Sequence, residues 1–196
     1  RHARPFVLLA LLAILAPVAV AAVTTTVVDL PTRPGVTQRI LLLRPDARAW
    51  YLLIPVWMFV RMAFNAIDGM LAREFGQKSR LGAYLNELTD AISDAALYAP
   101  FAVVSPFAPG WTVVVIVLAV VSEYAGVLGP MVGASRRYDG PMGKSDRAFV
   151  FGALGLWLGV AGSVPGWVGH VMPILALALV ATIINRVRHG LAEAAP

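Results

Sequence analysis

Long apolar runs constrain this chain more than any other feature. Six segments, 5–24, 50–72, 82–106, 111–134, 148–164 and 168–186, approach or exceed the length of about 20 mostly apolar residues that a helix needs to cross a bilayer. Lipid offers the backbone no hydrogen-bond partner, so segments of this length and composition are expected to be helices. The predicted fold is therefore all-α: a polytopic membrane bundle of about six transmembrane helices, with residues 1–196 forming one domain. The composition agrees, at 59% hydrophobic and only 14% charged residues. That excludes a disordered chain and argues against an ordinary soluble enzyme. There are no cysteines, which removes disulfides, thiolate metal sites and a cysteine nucleophile. The first run outlasts a signal-peptide core and shows no clear cleavage site, so it is expected to be a span. The chain opens at Arg1 rather than Met, which leaves an N-terminal truncation open.

Basic residues set the expected orientation. With the N-terminus inside, the inner segments hold Arg1, Arg4, Arg73, Lys78, Arg80, Arg136, Arg137, Lys144, Arg147, Arg186 and Arg188. The outer segments hold Arg33, Arg39, Arg44 and Arg48, all in an external loop over 25–49. This asymmetry puts both termini in the cytoplasm and a basic loop, 135–147, on the inner side. A net charge of +5 in so apolar a chain points to anionic head groups rather than nucleic acid. The expected location is a bacterial inner membrane.

Charges inside the apolar runs are the informative exceptions. Asp68, Glu87, Asp90, Asp94 and Glu123 lie in or near them, as do Arg61 and Asn65. Each charge near a bilayer centre costs at least about 2.5–3.5 kcal/mol on insertion scales. Arg61 offsets one; the others need cations, water or protonation, and a divalent metal is the most economical partner for oxygen ligands. Arg61, Asn65 and Asp68 share one face of the second span, at i, i+4 and i+7. Asn86, Asp90 and Asp94 step by four along the third, and Glu87, Asp90 and Asp94 form a tighter stripe. A short connection makes the two spans antiparallel neighbours, so both carboxylate faces can meet near the cytoplasmic interface. A polar seam that merely joins helices is the alternative, and Glu123 is read that way.

Residues 65–94 read NAIDGMLAREFGQKSRLGAYLNELTDAISD. This resembles the signature of the CDP-alcohol phosphatidyltransferase family, D-x2-D-G-x2-A-R-x8-G-x3-D-x3-D. Six of eight defined positions match: Asp68, Gly69, Ala72, Arg73, Gly82 and Asp90. Asn65 and Asn86 stand where the family has its first and third aspartates, and the family's N-terminal P-N-x-x-T-type pattern is absent. The later GPMGKSDRA, residues 140–148, resembles more loosely a Gly-Lys-containing inner segment of the family. A P-loop reading of Gly143-Lys144-Ser145 fails because Tyr138 occupies the position of the required glycine.

The resemblance implies an enzyme. An alcohol hydroxyl attacks the β-phosphorus of a CDP-linked lipid, CMP leaves and a phosphodiester forms. It implies Mg²⁺ or Mn²⁺ held by Asn65, Asp68, Asn86 and Asp90, with Glu87 or Asp94 as recruits in place of the missing aspartates. Asp90 takes the position of general base, and Asp68 acts with it through the metal. Gly69, Ala72, Arg73 and Gly82 would form the nucleotide-binding surface. Lys144 and Arg147, with Arg136 and Arg137, would hold an acceptor phosphate or an anionic head group. A homodimer is also implied. Charge balance predicts one well-held metal before substrate arrives, or recruitment of Glu87, the easier of the two. A catalytically degenerate CDP-lipid binder is the alternative that the two asparagines motivate. An ion transporter fits less well, because the polar residues concentrate in two spans instead of recurring in similar halves.

Overall fold

The structure, a computed structural model, describes residues 17–19, 48–74 and 80–194; over 64–69 and 71–74 it describes the backbone alone. The first expected span and the 25–49 loop fall almost wholly outside the described residues. Within them there is no strand. A 3-10 turn, Trp50–Leu52, leads into α1 (Leu53–Glu74). Helix α2 (Arg80–Tyr98) runs into a second 3-10 turn, Ala99–Val103, where Pro100 ends the α-helical ladder. Helix α3 (Pro109–Val127) opens with proline at its first position, where no N–H is missed. Helix α4 covers Lys144–Ala161 and stops at Gly162 in the left-handed region. A 3-10 turn, Gly166–His170, precedes α5 (Val171–Ala194).

These five helices overlap the second to sixth expected spans, with corrections at their ends: α2 stops at Tyr98 and α3 at Val127, short of 106 and 134, and each is followed by a 3-10 turn. Helix α4 begins at Lys144 instead of near 148, because the Asp146 carboxylate accepts the Gly143 N–H at 2.8 Å and caps the first turn. Lys144 and Arg147, expected in the basic loop, are therefore helical. Helix α5 continues well past 186, which places Arg186 within the helix and not in an inner tail.

Each helix buries one stripe at three- and four-residue steps. In α3 it is Thr112, Val115, Ala119, Ser122 and Gly126; in α5 it is Leu175, Leu179, Thr182, Arg186 and Gly190. The α5 stripe passes from apolar to polar along the helix, and the α3 stripe brings Ser122 to the same level. The apolar part belongs to a core in which the Tyr98 and Phe151 rings stack at 3.8 Å and Phe101 meets Phe151 edge-on at 5.2 Å. Helix α4 packs antiparallel on α1 through glycines. A Cβ on Gly159 would lie 2.5 Å from Leu52, and one on Gly155 3.1 Å from Ile54.

The outward faces are apolar. Phe59, Tyr84, Val117, Phe149, Ile174 and Leu177 are all exposed, whereas Arg61, Asp94, Arg147 and Arg186 are buried. This inverts the pattern of a soluble protein. Helix α3 and the stretch Gly166–Ala194 are long and apolar enough to cross a membrane, with mean hydropathies of 1.9 and 2.1. Trp50, Trp111 and Trp167 are exposed at the beginnings of α1, α3 and α5, at one end of the bundle, as interfacial anchors are.

Candidate active site

Toward the opposite end, the polar stripes converge on a chain of ion pairs. From α1, Arg61 Nη2 donates to the Asp90 carboxylate and to the Asp90 carbonyl, both at 3.1 Å, while Nη1 donates to Asp94. One guanidinium thus ties together two carboxylates a helical turn apart on α2. Lys144, on the first turn of α4, donates to the other oxygen of Asp90. Arg147, one turn further along, reaches Asp94 at 3.3 Å and Glu123 at 2.8 Å. Arg186 of α5 lies 3.6 Å from Glu123 and donates to the Ser122 carbonyl. Arg136 makes a two-pronged pair with Glu87, its Nη2 at 2.8 Å from Oε2, and stands 3.9 Å from Glu123.

Among the described residues five cations therefore face four carboxylates: Arg61, Arg136, Lys144, Arg147 and Arg186 against Glu87, Asp90, Asp94 and Glu123. The side chains of Arg147 and Arg186 are only 1% and 2% exposed, so these pairs are withdrawn from solvent. Charges so placed persist only when paired. The sequence reading gave Arg61 as the internal partner for one carboxylate and left the rest to a metal, water or protonation. The structure instead brings arginines and a lysine from three later segments to them. Glu87 and Asp94, the proposed metal recruits, are engaged by Arg136 and by Arg61 with Arg147.

Asn86 is exposed one turn before Asp90, and its carbonyl accepts the Thr89 hydroxyl at 3.1 Å. Gly82 is half-buried a further turn back. Asn65, Asp68, Gly69, Ala72 and Arg73 lie along the last three turns of α1, and their side chains fall outside the description. Among the described residues, no three His, Asp or Glu side chains stand together as a cation site. The donors that the motif offers a divalent ion beside Asp90 would be the Asp68 carboxylate and asparagine amide oxygens. That all-oxygen set has the chemistry of a Mg²⁺ or Mn²⁺ site. Lys144, a point cation on a flexible stem with its side chain 26% exposed, marks the Asp90 oxygen as open to positive charge.

The inner segment between α3 and α4 is fastened to α5. Ser135 donates through its backbone N–H and its hydroxyl to Glu193, both at 2.9 Å. Arg137 grips Asp139 at 2.7 and 3.0 Å and also meets Glu193. His189 Nδ1 lies 3.0 Å from Asp139. The Arg137 guanidinium, and then the His189 ring, hold the Asp139 carboxyl well below the usual carboxylate range. Gly140, at φ +121°, presses on Thr182, whose hydroxyl accepts the Met142 N–H at 3.0 Å. This fastening delivers Arg136, Lys144 and Arg147 to the site. Glu123, read from the sequence as a seam residue, does join α3 to α4 and α5 through Arg147 and Arg186; the part of Arg186 in this seam was not expected, and the signal for it was that Arg186 continues the stripe of Leu175, Leu179 and Thr182.

Comparison with known proteins agrees with the motif. The family model described as CDP-alcohol phosphatidyltransferase matches residues 7–184. The inner membrane protein YnbA of Escherichia coli is 42% identical over 138 residues, covering 70% of this chain and 69% of that protein. Phosphatidylinositol phosphate synthase of Mycolicibacterium smegmatis is 29% identical over 173 residues, covering 85% of this chain and 77% of that protein. No solved structure matches. The motif along α1 and α2, and a family match that runs from α1 into α5, make one conclusion direct: this chain belongs to the CDP-alcohol phosphatidyltransferase family, membrane transferases of phospholipid biosynthesis.

Proposed function

We propose that the protein moves a phosphatidyl group from a CDP-linked lipid to an alcohol acceptor and releases CMP. The observation that carries this reading is the setting of Asp90. It occupies the family's last aspartate position and is fixed through backbone and side chain by Arg61, with its second oxygen turned to Lys144. In the proposed reaction the acceptor hydroxyl gives its proton to Asp90. Its oxygen bonds to the β-phosphorus, the bond from that phosphorus to the bridging oxygen breaks, and CMP departs with the electron pair.

Asp68 and Asp90, with amide oxygens of Asn65 and Asn86, would hold Mg²⁺ or Mn²⁺. The ion would supply charge neutralisation at the pyrophosphate. The engagement of Glu87 and Asp94 by arginines favours one tightly held ion over recruitment of either residue. Gly69, Ala72, Arg73 and Gly82 would line the nucleotide, and Arg73 would grip a phosphate. In this reading six helices cross a bacterial inner membrane, the site opens on the cytoplasmic side, and the apolar outer faces meet lipid. Function as a homodimer rests on the family resemblance alone.

Purified protein given CDP-diacylglycerol, Mg²⁺ and a panel of alcohols should release CMP, and Asp90→Asn should abolish the release. Binding of CDP-lipid without CMP release from any acceptor would instead support the degenerate reading that Asn65 and Asn86 motivate.

A further inference from the structure

Three guanidiniums from three different segments surround a single carboxylate, that of Glu123. Arg147 Nη2 is 2.8 Å from its Oε1, Arg186 Nη1 3.6 Å from the same oxygen, and Arg136 Nη2 3.9 Å from Oε2. The Arg147 and Arg186 side chains are 1% and 2% exposed, that of Glu123 is 16% exposed, and Arg136, at 29%, forms the open side of the cage. It adjoins the reacting end of the site through shared partners: Arg147 also holds Asp94, and Arg61 links Asp94 to Asp90. Arginines gathered in this way form an anion receptor, since their planar forks match phosphate and carboxylate alike. Here the anion is part of the chain.

The other basic groups of the inner segment are occupied too. Arg136 is bound by Glu87, Arg137 by Asp139 and Glu193, and Lys144 by Asp90. We propose that Glu123 is a specificity-determining residue: it fills the arginine cage in place of an acceptor's phosphate, so that the alcohol this protein uses carries no phosphate group. The proposal rests on the transferase reading above and deepens it by naming the acceptor class. A phosphate monoester carries between one and two negative charges near neutral pH. Entering the cage, it would meet the Glu123 carboxylate at close range in a site with little water, and discrimination against a partner is commonly built from such like-charge contact.

The test compares acceptors on the wild-type protein. CMP release from CDP-diacylglycerol with Mg²⁺ is followed with glycerol and myo-inositol, and with glycerol 3-phosphate and inositol 1-phosphate. Release with an unphosphorylated alcohol, preferred roughly 100-fold over its phosphate ester, is expected. Preference for a phosphorylated acceptor overturns the proposal while leaving the transferase reading intact. A binding measurement keeps the two readings separable where no acceptor turns over. Inorganic phosphate should fail to raise the melting temperature of wild-type protein in detergent. It should raise that of Glu123→Gln, or of Glu123→Ala if the first variant does not fold. Stabilisation of the wild type by phosphate, lost on Arg147→Lys, overturns the proposal independently of turnover.

Discussion

Arg61 offers the sharpest test of the ion-pair chain. Its side chain is 7% exposed, and among the described residues it alone makes ion pairs with both Asp90 and Asp94. Breaking a buried pair by removing one partner typically costs about 3–5 kcal/mol. Asp90 keeps Lys144, and Asp94 keeps Arg147, so Arg61→Met should fall at the low end, about 3 kcal/mol. For a chain of this size that corresponds to a loss of roughly 6–12 °C in melting temperature. Adding Asp94→Asn to Arg61→Met removes the carboxylate left short of charge. The double variant should recover part of the loss, giving a coupling energy of at least about 1 kcal/mol in a double-mutant cycle. The assay is thermal unfolding of purified protein in one detergent, with CMP release measured alongside. Arg61→Lys should restore charge but not the fork, so stability should return further than turnover does. If Arg61→Met melts with the wild type, or if the two changes add without coupling, the account of Arg61 as a shared counter-ion is wrong.

Removing the divalent ion with a chelator should stop CMP release, and Mg²⁺ or Mn²⁺ should restore it. Glu87→Gln should leave the Mn²⁺ requirement for half-maximal activity within about twofold, a shift below roughly 0.5 kcal/mol, because Arg136 already holds that carboxylate. Gly159→Ala should destabilise by about 1–3 kcal/mol in thermal unfolding, since its Cβ would enter the space of Leu52. Asp139 is held below its unfolded pKa, so its stabilising contribution is present above about pH 4 and is lost as pH falls through the folded value. Asp139→Asn should therefore melt below the wild type at neutral pH, and the gap should close on acidification; a gap independent of pH would contradict the pairing with Arg137 and His189.

Most of the helices were legible in the sequence because lipid-length apolar runs leave the backbone little choice. The termini of α4 and α5 were not. Hydropathy ends a span where charges begin, but Arg147 and Arg186 are charges that the interior neutralises, and the helices carry on through them. The motif picked out Asp90 from spacing alone. It did not reveal what compensates the other carboxylates, because Arg136, Arg147 and Arg186 read equally well as markers of the inner face. Only their three-dimensional convergence on Glu123 and Asp94 separates a topological signal from a structural one. The same convergence turns the sequence's hint of a phosphorylated acceptor around: the basic residues are present, but each of these is already met by an acid.

The glycine contact between α1 and α4 has a consequence at a distance. Gly159 lies fifteen residues from Lys144, about 22 Å along the helix axis. Gly155 and Gly159 let α4 lie close against Ile54 and Leu52, and Lys144 stands at the far end of the same helix. A side chain added at either glycine would have to displace its neighbour, so the seating of the helix that carries Lys144 to Asp90 depends on two residues that have no side chain.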